Sequence, residues 1–208
     1  MSISNEDGGD GSPSPDPLAD TLLDAAYESI ALFGLRRLTL TDVARRAGVS
    51  RPTVYRRWRD IGTLLADLLT REMRAVADAV TPRAAVAGGD ARARLVAGTV
   101  LVVAELRGHP LLGRIIDTEP EALITYTFHR LGSSQLSLLA VAERQIRAGQ
   151  ADGSVRAGDP AELARMMLLA AQSAALSWRL VEDTLPLERQ TAELRRMLDA
   201  YLRPEGRE

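Results

Sequence analysis

Between Arg36 and Arg59 the chain carries eight arginines, Arg36, Arg37, Arg45, Arg46, Arg51, Arg56, Arg57 and Arg59, against one acid, Asp42. The segment is formally 8 − 1 = +7 in a protein whose whole balance is −2. A guanidinium is permanently charged, and its fork of donors matches phosphate oxygens and the O6/N7 edge of guanine. A block of them, interleaved with Thr41, Thr53 and Tyr55, suits contact with a nucleic acid. All 26 basic residues are arginine. That is a compositional habit, and it explains the missing lysine but not the clustering. Other chemistries find no residues to carry them. Cysteine is absent, which removes disulfides, thiol catalysis and thiolate metal sites. There is no Gly-rich phosphate loop, nucleophile elbow or paired histidine motif. His109 and His129 can be drawn together with Asp117, Glu119 and Glu121, but their spacing matches no ligand pattern. No enzymatic activity, metal or cofactor is expected.

The arginines need elements to aim them, and the spacing from Leu38 to Trp58 supplies two short helices. Thr39 followed by Asp42 resembles a capping box with Asp in place of Glu. Val43, Ala44 and Ala47 form a small apolar face, and Ala44 leaves room for a steep helix crossing. Gly48 stands where the chain must turn with positive φ. Val49 can plug the corner, and Ser50 is a suitable N-cap for the next helix. Arg51 and Pro52 occupy its first turn, where proline loses no helical bond. At about 100° per residue, Val54 and Trp58 share one face and Arg56 points opposite, flanked by Pro52 and Thr53. One face is anchored and the other presents donors, as a helix entering a DNA groove requires. Arg56 is the expected base-edge contact. Thr53 could meet a thymine methyl or a phosphate, while Thr41, Arg51, Tyr55, Arg57 and Arg59 are expected at phosphates.

The segment from Thr41 to Trp58, followed by Asp60 and Leu64-Leu65, resembles the N-terminal signature of the TetR family of transcription regulators. The likeness spans roughly residues 18–70. It implies a three-helix DNA-binding domain joined by a fourth helix to a larger all-α domain that forms the dimer and often holds a small molecule. The family commonly places a phosphate-contacting lysine where this chain has Ile61. That contact is not expected here, and Arg59 is the nearest cation able to replace it.

The rest of the chain reads as all-α, with about nine helices in total. Residues 1–15, rich in Gly, Ser, Pro and Asp, read as a disordered acidic tail. Asp16-Pro17 marks a helix start. The divisions expected are 16–60 for the DNA-binding domain, a linking helix over 62–80 that ends before Pro82, and 81–203 for a ligand-binding and dimerisation domain. Helices are predicted near 90–107, 111–117, 121–148, 160–181 and 187–202, with a loop over 149–153. His109, before Pro110, reads as a loop or capping residue. Small apolar residues between Leu163 and Trp178 allow close helix packing. With the resemblance, this places a dimer interface on Ala171, Ala175, Leu194, Met197, Leu198 and Tyr201. An internal core helix is the competing reading. Tyr126, Phe128, His129, Met167 and Trp178 are the candidates for a ligand pocket, with an ordinary core as their alternative.

No apolar run is long enough to span a bilayer, and the first residues lack a secretory pattern, so a cytoplasmic protein without membrane contact is expected. The expected partners are a double-stranded DNA operator, a second copy of the chain and a small apolar or amphipathic effector. The reading is a repressor released from a palindrome by that effector. A regulator without a ligand, an activator, or a helical protein with a vestigial helix-turn-helix are the alternatives.

Overall fold

The computed structural model describes residues 16–86, 88–124 and 133–206. Ten α-helices and no strand occur among the described residues. They are α1 (Pro17–Phe33), α2 (Leu40–Arg46), α3 (Arg51–Tyr55), α4 (Ile61–Ala85), α5 (Ala91–Gly108), α6 (Pro110–Thr118), α7 (Glu121–Ile124), α8 (Ser133–Ala151), α9 (Pro160–Leu176) and α10 (Leu187–Leu202). No single one of them is long and apolar enough to cross a membrane.

Many of the starts are set by capping. Asp16 accepts from the N–H groups of Leu18 and Ala19, both at 3.1 Å, and Pro17 fills the first turn. Asp60 and Thr63 form a reciprocal capping box on α4. Asp90 and Asp159 each cap a helix with a side-chain oxygen, at α5 and α9.

Two apolar cores result. The first joins α1, α2, α3 and the first half of α4 through Leu22, Ile30, Val43, Val54, Trp58, Leu64 and Leu68. It also takes in Leu111, Leu112 and Ile115 of α6 and Leu123 of α7. The second core joins α5, α8, α9 and α10 through Val100, Val103, Ile146, Leu163, Met167, Leu194 and Leu198. Leu106 packs against both. Chain position alone assigns α6 to the second domain, yet its leucine face lies on the first core. Close-packed interiors transmit displacement, so α6 is a second mechanical link between the halves, beside α4.

Several sequence boundaries need correction. The linking helix does not stop before Pro82. It runs to Ala85, because Ala84 packs closely on Gly98 of α5 and Arg83 pairs with Glu105. Those contacts offset the one backbone bond that proline removes in the last turn. Of the stretch expected as one helix over 121–148, residues 125–132 lie outside the described residues; α7 and α8 flank them, and α8 continues through Gly149 to Ala151. Gly149 permits a close approach there, since a Cβ would meet Val155 Cγ2 at 2.3 Å. The helix expected over 160–181 ends at Leu176, and Trp178–Val181 form a separate 3₁₀ turn. Arg107 helps fix that end. Its guanidinium donates to the Ala174 carbonyl at 2.9 Å and reaches Thr191 and Gln190 of α10 at 3.3 Å.

Candidate nucleic-acid interface

The interface is built on the α2–α3 corner. Thr39 Oγ1 accepts from the Asp42 N–H at 3.1 Å, which opens α2. The Asp42 carboxylate takes the Thr39 hydroxyl and Arg45, so half of the expected capping box forms. Ala44 is buried, and its carbonyl accepts from the Val49 N–H at 3.0 Å as the chain turns. Gly48 makes that turn with φ +68°, and an added Cβ would meet nothing within 4 Å. The demand at Gly48 is therefore purely conformational. Gly48→Ala is expected to cost about 1–2 kcal/mol, read as a lower urea midpoint. An unchanged midpoint would mean that the corner relaxes.

Ser50 holds the N-cap position of α3 without a side-chain cap bond. Pro52 removes one of the N–H groups a cap would serve. The Ser50 hydroxyl instead meets that of Thr53 at 2.7 Å. Helical hydrogen bonding continues past Tyr55, because the Arg56 N–H reaches the Pro52 carbonyl and the Trp58 N–H the Val54 carbonyl, both at 3.0 Å. Val54 is 0% and Trp58 3% exposed. The indole Nε1–H donates to Asp67 of α4 at 2.7 Å. Arg51, Pro52, Tyr55 and Arg56 are exposed on the other side, with Thr53 partly buried. Thr41 lies partly buried in the first turn of α2.

The arginines divide into held and unheld groups. Arg57 pairs with Asp16 and lies 5.7 Å from the centre of the Trp58 ring. Arg46 pairs with Glu28 at 2.9 Å, Arg45 with Asp42 at 2.7 Å and Arg59 with Asp60 at 3.1 Å. Arg36 lies 3.7 Å from Glu121. Among the described residues, Arg37, Arg51 and Arg56 have no carboxylate partner. The Ala19 N–H first, then Arg57, holds the Asp16 carboxyl below its usual range.

Two further contacts tie this head to the rest of the chain. Glu119, buried at the end of α6, accepts the Arg36 N–H across 83 positions of sequence. Arg71 of α4 reaches Asp24 at 2.7 Å and Glu72 at 2.8 Å. Glu72 meets His109 Nε2 at 3.3 Å, and the His109 ring stands edge-on to Tyr27, 6.5 Å between centroids. His109 is the backbone cap of α6, as the sequence suggests, but its side chain serves this junction. The His109 hydrogen bond first, then Arg71, depresses the Glu72 carboxyl. A depressed carboxyl contributes stability that is present above its unfolded value, about 4.3, and is lost as pH falls through the folded value. Glu72→Gln should therefore lower the urea midpoint near neutral pH, and the gap from wild type should close on acidification. A gap independent of pH would contradict this pairing.

Residues 22–68 match the family profile described as bacterial regulatory proteins, tetR family. An uncharacterised HTH-type transcriptional regulator of Mycobacterium bovis is 40% identical over 187 residues, covering 88% of this chain and 95% of that protein. This chain belongs to the TetR family. It is a transcriptional regulator with a DNA-binding helix-turn-helix. Solved structures of low sequence identity share the fold over nearly its whole length. FadR of Bacillus subtilis in complex with stearoyl-CoA superposes with a TM-score of 0.63 at 15% identity, over 88% of this chain and 98% of that one. The SmeT–triclosan complex does so with 0.61 at 20%, over 92% and 94%.

The residues expected to form a pocket and a dimer seam fall differently. Tyr126, Phe128 and His129 lie outside the described residues. Met167 is buried in the second core, and Trp178 is half-buried in the 3₁₀ turn. Ala175, Leu194 and Leu198 are taken up by the protomer's own core. Ala171 and Tyr201 are partly buried against it, and Met197 is exposed. Sequence reading missed Asp67 and Glu72, and weighed Glu119 only as part of a metal arrangement. Each acts on a partner distant in sequence, and one sequence carries no signal for such pairs.

Proposed function

We propose that this TetR-family regulator acts in the cytoplasm as a homodimeric repressor of a palindromic operator, and leaves DNA when a small apolar or amphipathic molecule enters its second domain. The observation that carries the reading is the division of the α3 segment. Arg56 and Arg51 are exposed and have no carboxylate partner among the described residues, while Val54 and Trp58 fix the opposite face in the core. Such a helix can sit in a major groove with Arg56 on a guanine edge and Arg51, Tyr55 and Thr41 at phosphates. Arg57 and Arg59 join them only by exchanging Asp16 and Asp60 for DNA.

Two such helices about 34–36 Å apart would meet successive major-groove faces, hence the palindrome. The dimer seam is assigned to the outward side of α9 and α10, where Met166, Leu169 and Met197 are 51%, 58% and 51% exposed. Met197→Glu is expected to shift the protein toward monomer in sedimentation and to weaken operator binding at least tenfold. A stable dimer in this variant would move the seam elsewhere.

The ligand class rests on the stearoyl-CoA and triclosan of the similar structures, the first amphipathic, an apolar acyl chain on a charged carrier, and the second largely apolar. Release would run through α4 and α6. The Glu119 carboxylate grips the head, so a ligand that displaces α6 moves it. Linkage requires DNA to weaken the ligand by the same factor as the ligand weakens DNA. The test is selection of duplexes from a random pool, followed by anisotropy at two salt concentrations. Enrichment of a palindrome with strongly salt-dependent affinity is expected. No enrichment in any salt would remove the reading.

A further inference from the structure

The C-terminal end of α1 leaves apolar surface uncovered, with Leu32 60% and Phe33 54% exposed. Phe33 lines a half-open groove of about 500 Å³ between that end of the helix, the turn that follows it and α2. Leu38 and Ser29, both 6% exposed, form its floor. The Ser29 hydroxyl already donates to the Ala25 carbonyl at 2.7 Å and asks for no further acceptor. Arg37, Arg45 and Arg46 stand around the groove with Asp42, a formal 3 − 1 = +2. Glu28, paired with Arg46, brings the surroundings to +1, and Arg45 is paired with Asp42. Arg37 is exposed and has no carboxylate partner among the described residues.

We propose that this groove binds an amphipathic monoanion, with a carboxylate on Arg37 and an alkyl or aryl body against Phe33 and Leu38. Small-molecule sites are concave and mostly apolar, with a few polar groups that fix orientation. A guanidinium meets a carboxylate through two parallel donors, and a surrounding charge of +1 suits a single negative charge. An inorganic anion or a DNA phosphate satisfies Arg37 but leaves Phe33 in water. A neutral apolar molecule covers Phe33 but leaves Arg37 unpaired. A molecule carrying both parts gains from each. A fully buried methylene is worth about fourfold in affinity, so about twofold is expected in a half-open groove. An exposed ion pair adds about two- to fivefold, less at high salt. The groove is made by α1, the turn after it and α2 alone, on the first core. It is therefore separate from the effector site proposed in the second domain, and gives the regulator a second input on the reading head itself, beside the helix whose first turn carries Thr41.

The test titrates the full chain with octanoate at neutral pH and low salt, and reads backbone amide shifts by NMR. Saturable shifts are expected at Phe33, Arg37 and Arg45. Affinity at these amides should rise about twofold per methylene through butanoate, hexanoate and octanoate. Acetate and 1-octanol, which carry one part each, should both bind more weakly than octanoate. Arg37→Ala should weaken octanoate about two- to fivefold, to the level of octanol on wild type, and Arg37→Lys should restore part of the loss. Phe33→Ser should flatten the dependence on chain length. Both side chains are exposed, and the ligand series on wild type stands without either variant. Absence of saturable shifts at these amides would overturn the site. Acetate binding as tightly as octanoate would mean a bare anion contact, and octanol binding as tightly would mean a plain apolar patch, and either overturns it. Shifts confined to α5, α8 and α9 would place octanoate in the second domain, which favours the effector proposed there and rejects the groove.

Discussion

Trp58→Ala is expected to lower the folding stability by about 3–5 kcal/mol, a large fraction of the roughly 5–15 kcal/mol of a typical domain. The indole is almost fully buried among Val54, α1 and α4, and its Nε1–H satisfies Asp67. Truncation leaves a cavity and removes the hydrogen bond to Asp67, whose exposed carboxylate water can then solvate. It also frees the C-terminal end of the recognition segment, because Trp58 is its last inward anchor. Urea unfolding should show the loss, and DNA binding should fail at temperatures where wild type is intact. Trp58→Phe separates the two causes. It keeps most of the apolar contact and loses only the indole donor, so it should cost about 1–2 kcal/mol. An alanine variant less than about 1 kcal/mol below wild type would mean that the segment is held from elsewhere.

Arg56→Ala should behave in the opposite manner. The side chain is exposed and has no carboxylate partner among the described residues, so stability should change by less than about 0.5 kcal/mol. DNA binding should weaken by about 1–3 kcal/mol per half-site, with discrimination relaxed at one base pair in each. In a dimer the interaction occurs twice, so the effect on a full palindrome approaches twice that on one half-site. Arg51→Ala supplies the comparison. Removing a phosphate-binding arginine there should weaken all sequences alike and reduce the salt slope by about one per phosphate. Arg56→Ala that weakens every duplex equally would reassign Arg56 to the backbone.

The helix-turn-helix was legible because its signals are local. Thr39, Gly48 and Pro52 act within a few residues of themselves, and helical periodicity alone places Val54 and Trp58 opposite Arg56. The Asp16 cap was legible for the same reason, whereas its hold on Arg57, 41 positions away, was not. The α6 helix illustrates the harder case. Its leucines announce an apolar face, but nothing nearby says that the first core covers it. Ala175, Leu194 and Leu198 pose the same problem in reverse. A helix with apolar residues on several sides covers one side with its own chain and leaves another outward, and periodicity does not say which. Pro82 and Ser177 show that boundaries depend on packing as well as on propensity. Ala84 against Gly98 carries α4 through a proline, while the segment from Pro160 onward ends at Leu176, short of Trp178.

An anchored helix that presents Arg56 to a specific DNA sequence, twice per dimer, is the central claim. The most direct measurement is the affinity of wild type and Arg56→Ala for the selected palindrome, its isolated half-site and a random duplex, by anisotropy across a salt series. Two chains should bind each palindrome. Wild type should clearly prefer it over both other duplexes, and the variant should show a sharply reduced preference while salt dependence persists. Equal affinity of wild type for all three duplexes at every salt concentration would contradict the claim.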